Sequence, residues 1–159
     1  MSNRSEVLVG AVCLWAALSL CPLPAFAVGS GPVSVPAAPR PAQPSAESEY
    51  NKGLQHKAAK RFAEAAEDFR QAVDRRADFP EAWNELGYAL RQTGKYPEAV
   101  QAYDQALRLR PNFPEALEYL GEAYVKLGRL DEAREILERL RTLDPAHARD
   151  LEAALRAGK

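Results

Sequence analysis

Apolar side chains recur through residues 46–157 at spacings of three and four, the pattern of helices that each bury one face. In residues 80–93 the set Trp83, Leu86, Gly87 and Leu90 shares such a face, and Ala99, Tyr103, Ala106 and Leu107 share the next. The pattern itself repeats. Gly53, Gly87 and Gly121 stand 34 residues apart, as do Ala65, Ala99 and Ala133. Phe62, Tyr96 and Leu130 keep that phase, and so do Phe69, Tyr103 and Leu137, followed by Ala72, Ala106 and Leu140. A period of this size predicts a stacked array of helical hairpins. Such arrays present a continuous face to other proteins and lack the enclosed pocket most enzymes use.

Helix punctuation agrees with the period. Pro80 and Glu81 suit a first turn, where a missing N–H costs nothing and a carboxylate meets the positive end of the helix dipole. Gly94 suits the turn that follows. A second helix is expected from about Pro97 to Arg110, stopped by Pro111. The third unit repeats the design, with Pro114, Leu117, Leu120, Gly121, Tyr124 and Gly128, then Leu130, Ala133, Leu137 and Leu140. The small residues have a steric reading: Gly87 and Ala99 belong where the helices of one hairpin come closest, and Ala106 where the next hairpin docks.

Trp83, Leu86-Gly87, Ala99, Tyr103, Ala106 and Pro111 together resemble the spaced signature of the tetratricopeptide repeat, and the likeness extends over residues 46–147. The resemblance implies an all-α fold, a right-handed α-solenoid of three helical hairpins at 46–79, 80–113 and 114–147. A capping helix and tail follow over 148–159. That helix, expected within 146–157 from Ala148, Leu151, Ala154 and Leu155, should cover Ile136 and Leu140. The first unit departs from the pattern, with Glu49, Lys52, His56 and Lys60 where tryptophan, leucine, an aromatic and glycine are expected. These polar residues predict an outer helix that faces water, with His56 standing in for a packing aromatic. Exposed ion pairs are expected at the four-residue spacings Asp104–Arg108 and Glu135–Arg139.

In repeats of this family the first helix of each hairpin lines the concave side. The same phase here assigns the groove to Tyr50, Leu54 and Lys57, then Asn84, Tyr88 and Arg91, then Glu118, Glu122 and Lys126. Tyrosines offer large amphipathic surfaces, and an asparagine both donates to and accepts from a peptide backbone, so a peptide or protein segment is the expected ligand. One use of the fold clamps a terminal carboxylate with lysine, asparagine and arginine. This chain has Tyr50 and Leu54 where that use calls for lysine and asparagine, and Glu118 and Glu122 would repel an anionic tail.

Residues 1–45 look different. Arg4 precedes an uncharged, mostly apolar run over residues 7–20, and then come Pro22, Pro24 and the small-residue site Ala25-Phe26-Ala27. This layout predicts a secretory signal peptide over residues 1–27 and a mature chain beginning at Val28. The apolar run is short of the roughly 20 residues that cross a bilayer. Leu20 before Cys21 is too large for a lipoprotein cleavage site. An uncleaved anchor or a lipidated Cys21 remain the alternatives. Residues 28–45 are rich in proline and alanine and read as a disordered linker.

Composition narrows the chemistry. Both cysteines, Cys13 and Cys21, precede the expected cut, so no mature thiol or disulfide is expected. With a net charge of −1 and no basic cluster, no nucleic-acid partner is expected, and membrane contact is left to the N-terminal segment. His56 and His147 lie in different units, with no nucleophile arrangement, phosphate loop or metal-ligand spacing nearby, so no cofactor, metal or catalytic residue is expected. The acid pair Glu118 and Glu122 reads as groove charge. The resemblance, with the leader-like N-terminus, thus implies an exported, periplasmic interaction scaffold of a bacterial envelope that assists assembly of a complex. Two alternatives stand beside it: an anchored accessory subunit of a secretion, pilus or polysaccharide-export machine, and, less favoured, a hydrolase.

Overall fold

A computed structural model describes residues 43–158; the expected leader, nearly all of the linker and both cysteines lie outside them. Among the described residues the chain forms seven helices and no strand: α1 (Ala46–Ala58), α2 (Phe62–Arg75), α3 (Pro80–Gln92), α4 (Tyr96–Leu109), α5 (Pro114–Lys126), α6 (Leu130–Leu143) and α7 (Pro145–Ala157). The first six pair as hairpins in the 34-residue register, each helix packing on the next, and α7 docks on both α5 and α6. Proline opens α3, α5 and α7 and lies in the first turn of α4, where its fixed φ favours the helix and its missing N–H has no partner to lose. No described helix is long and apolar enough to cross a membrane.

The turn within each hairpin is built three times in one way. The N–H groups of Arg61, Lys95 and Arg129 reach back to the carbonyls of His56, Leu90 and Tyr124, each at 2.9 Å. This closure needs a residue in the left-handed region. Gly94 (φ 77) and Gly128 (φ 74) supply it freely, whereas Lys60 (φ 57) is forced into it.

One apolar core runs from α2 into α5, centred on Phe69, Leu86, Leu90 and Tyr103; a second joins α5, α6 and α7 through Leu117, Leu137, Leu140 and Leu151. Gly87 lies so close to Tyr103 that a Cβ there would stand 2.6 Å from Cε1 of its ring. In the third unit leucine replaces that tyrosine. Gly121 instead lies under Leu151 of α7, whose Cδ2 would be 2.5 Å from an added Cβ. The closing helix therefore inserts a side chain where the smaller Leu137 leaves room, besides covering Leu140.

Two expectations need correction, and a third feature adds to the expected closing helix. The polar residues of α1 do not simply face water: Glu49 is 5% exposed beside Arg75, and Lys52 and His56 converge on Asp68, which is 2% exposed. Lys52 Nζ and His56 Nδ1 each lie 2.6 Å from an oxygen of Asp68. His56 thus serves a buried carboxylate and does not replace an aromatic. Asp68 occupies the register of Ala102 and Ile136, so the first hairpin exchanges apolar contacts for charge pairing, which a buried carboxylate requires. The expected pairs Asp104–Arg108 and Glu135–Arg139 do not form; the observed surface pairs within a helix turn include Glu67–Arg70, Asp131–Arg134 and Glu138–Arg141, and Arg139 donates instead to the Pro111 carbonyl. Finally, α7 begins three residues ahead of the register. Asp144 stands where Arg76 and Arg110 end the earlier units, and its side chain caps α7 by accepting from the N–H groups of Ala146 and His147.

Candidate functional site

The first helices of the three units, together with α7, share one face, because their side chains pair directly across it. Lys57 of α1 donates to Glu85 of α3 at 2.6 Å. Arg91 of α3 lies 2.5 Å from Glu122 of α5. His147 of α7 lies 3.7 Å from Glu118 of α5. The face is thus one connected wall.

Its centre alternates cations with aromatic rings. Lys57 Nζ sits 4.8 Å from the centre of the Tyr88 ring, and the Arg91 guanidinium lies 5.4 Å from Tyr88 and 5.0 Å from Tyr119. The Tyr88 ring is 5.5 Å from Tyr119 and 6.1 Å from Phe62. A cation over an aromatic face is attracted by the ring quadrupole, at about 0.5–2 kcal/mol depending on desolvation. Arg91 is correspondingly enclosed, with 15% of its side chain exposed. Below it the Tyr103 hydroxyl is buried without an aligned hydrogen-bond partner, and burial pushes that phenol well above its usual range despite the nearby Arg91.

The nine expected groove residues separate into four kinds. Tyr88, Arg91, Lys57, Glu118 and Glu122 come together in this paired wall. Tyr50 and Leu54 form its apolar end: Tyr50 packs 4.9 Å from Phe79 and 5.7 Å from Phe69, and Leu54 lies against the same core. Lys126 is exposed at the rim of a shallow depression of about 200 Å3 that Arg91, Glu122, Val125 and Ala154 also line. Asn84 differs from expectation. It is 6% exposed and its Oδ1 has no hydrogen-bond partner.

Four contributors were not anticipated: Glu85, Tyr119, His147 and Asp150. Glu85 and Tyr119 share the 34-residue register one position after Asn84 and Glu118, so the period held the signal. His147 and Asp150 did not, since they belong to the out-of-register α7. Around Glu118 these groups change the chemistry. Burial, then the charges of Glu122 and Asp150, push its carboxyl up to about 7, against the opposing pull of His147 and Arg91. Tyr119 is also raised, first by burial and then by Glu118. Among the described residues no group of three or more His, Cys, Asp or Glu side chains is placed to hold a metal ion.

Comparison with known proteins agrees with this geometry. Residues 87–128 match a family model described as TPR repeat, and residues 114–147 one described as tetratricopeptide repeat. No curated protein matches the sequence. Among solved structures, the chain is similar to the Arabidopsis OM64 TPR domain at 20% identity, covering 72% of this chain and 97% of that one, with a TM-score of 0.67. The second TPR domain of human RPAP3, in complex with the HSP70 peptide SGPTIEEVD, is similar at 24% identity over 69% and 93% of the two chains, with a TM-score of 0.65. The TPR2B domain of yeast Sti1, in a pHsp70 complex, is similar at 20% identity over 71% and 94%, with a TM-score of 0.66. At these identities the likeness is one of fold. Residues 87–147 thus carry tetratricopeptide-type repeats, and the described helices share the fold of tetratricopeptide repeat domains.

Proposed function

We propose that this protein is an exported interaction scaffold that holds a peptide segment of a partner protein against the wall formed by α1, α3, α5 and α7, and so assists assembly of a cell-envelope complex. The observation that carries the reading is the cation–aromatic ladder of Lys57, Tyr88, Arg91 and Tyr119, locked by Glu85 and Glu122. Rigid amphipathic rings held by their neighbours are the groups that dominate protein interfaces. The similar fold of the human protein is described in complex with an HSP70 peptide and that of the yeast protein in a pHsp70 complex, which supports a peptide as the class of ligand here. Export rests on the leader-like layout of residues 1–27.

Photo-crosslinking in intact cells tests the binding reading. A crosslinker installed at position 88 should trap a discrete protein partner, and the Arg91→Ala background should lose it while keeping its helicity. Crosslinks arising only from an outer position such as Gln101 would overturn the groove assignment. The mass of the processed protein tests export. A chain beginning at Val28 supports release, whereas a retained or acylated N-terminal segment supports the anchored accessory subunit.

A further inference from the structure

Charge is balanced at one end of the wall and not at the other. Lys57 is matched by Glu85, and Arg91 by Glu122. Beyond Arg91, Glu118 and Asp150 add two more carboxylates, and Glu118 meets only His147, at 3.7 Å. His147 is itself held by Asp144, 3.0 Å from its Nδ1. The one further cation of α5, Lys126, stands exposed at the rim. Glu118 has 13% of its side chain exposed, and no donor among the described residues hydrogen-bonds its carboxylate. A carboxylate so placed is costly in its charged form, and its carboxyl is accordingly held up near 7.

Asn84 supplies an independent sign of the same deficit. It occupies the register of Glu118 one repeat earlier, is 6% exposed, and has an unpartnered Oδ1. Buried acceptors without donors are uncommon, and each is costly until a donor arrives. Two successive positions of one register, Asn84 and Glu118, therefore hold acceptors that no donor among the described residues satisfies, and the carboxylates around Glu118 outnumber the cations near it. Lysine and arginine side chains carry donors and charge and no acceptors. The HSP70 peptide of the human neighbour carries the acidic run EEVD, whose charge these carboxylates would oppose.

We infer that the segment held on this face is basic, with a lysine or arginine side chain seated beside Glu118 between α5 and α7. The inference rests on the peptide-binding reading above. The cation neutralises the repulsion among Glu118, Glu122 and Asp150, while the adjacent Tyr119 ring offers its face to the ligand's charged end. Specificity against acidic tails follows from the same carboxylates.

Selection of random displayed peptides on the full chain, with recovery counted only where Tyr88→Ala abolishes binding, tests this directly. Recovered peptides should share a lysine or arginine at one aligned position. Glu118→Gln, checked for unchanged circular dichroism, should weaken them roughly tenfold, and replacing that basic residue by norleucine should do the same. Tyr88-dependent peptides that are neutral or acidic throughout would overturn the inference and leave the groove reading intact. Full affinity in Glu118→Gln would overturn it as well, by moving the contact elsewhere. Failure to recover any Tyr88-dependent peptide would overturn both readings.

Discussion

Replacing Gly87 with alanine should destabilise the protein although alanine is the better helix former. An added Cβ would stand 2.6, 2.7 and 2.8 Å from three carbons of the Tyr103 ring. Ordinary carbon contacts lie at about 3.5–4.0 Å, so ring or helix must yield by about 1 Å. Tyr103 is fully buried with Tyr119 6.2 Å away on one side, which leaves little room to yield. Overpacking costs about 1–3 kcal/mol, and three ring contacts with so little room to move put this site in the upper part of that range, about 2–3 kcal/mol. The propensity gain of alanine over glycine returns about 1 kcal/mol, so the net loss should be about 1–2 kcal/mol. Urea denaturation followed by circular dichroism measures it. Tyr103→Leu in the same chain removes the clashing atoms, and in that background the alanine should become neutral or stabilising. Gly94→Ala is the control: nothing lies within 4 Å of its Cβ position and its φ is +77, so its cost should be purely backbone strain and indifferent to Tyr103. A Gly87→Ala protein as stable as the parent would mean that the helices do not touch there, and the nesting of hairpins would need another explanation.

Lys60→Gly should stabilise by about 1 kcal/mol, measured by the same denaturation, because it relieves the left-handed conformation that Gly94 and Gly128 adopt freely. Glu118→Gln should have a pH-dependent effect on stability. The folded carboxyl titrates near 7 against an ordinary value of 4.5, so the folded state holds its proton more tightly, and stability falls as pH rises from 4.5 through 7. The substitution should therefore stabilise the fold above pH 7 by about 1 kcal/mol after allowance for solvent screening, seen as a higher thermal midpoint, and change little below pH 4.5. An equal effect at both ends would rule out ionisation as the cause.

The hairpins were legible because a fixed period reports backbone proximity directly: Gly87 opposite Tyr103 is a steric necessity that every unit must solve. What escaped was local compensation. Glu49 and Lys52 read as solvent-facing because their partners, Arg75 and Asp68, lie on the other helix; yet an acid at the Ala102 register was a visible anomaly. Asn84 was assigned to the open face by phase alone, and phase does not say how deep a position sits beneath its neighbours. The start of α7 was legible to within a residue, but its consequence was not: Asp144 caps it after a connection of one residue, which sets the helix ahead of the 34-residue register. That shift brought His147 and Asp150 to Glu118 unannounced.

The interlocked rings and cations have a kinetic implication. Arg91 touches two tyrosines and a carboxylate from the following unit before any guest arrives, so its rotamer is chosen in advance. Docking then freezes few additional torsions on this side, and most of the ordering falls on the incoming segment. Apo and occupied forms should superpose closely, and discrimination among guests should appear mainly in how slowly they leave.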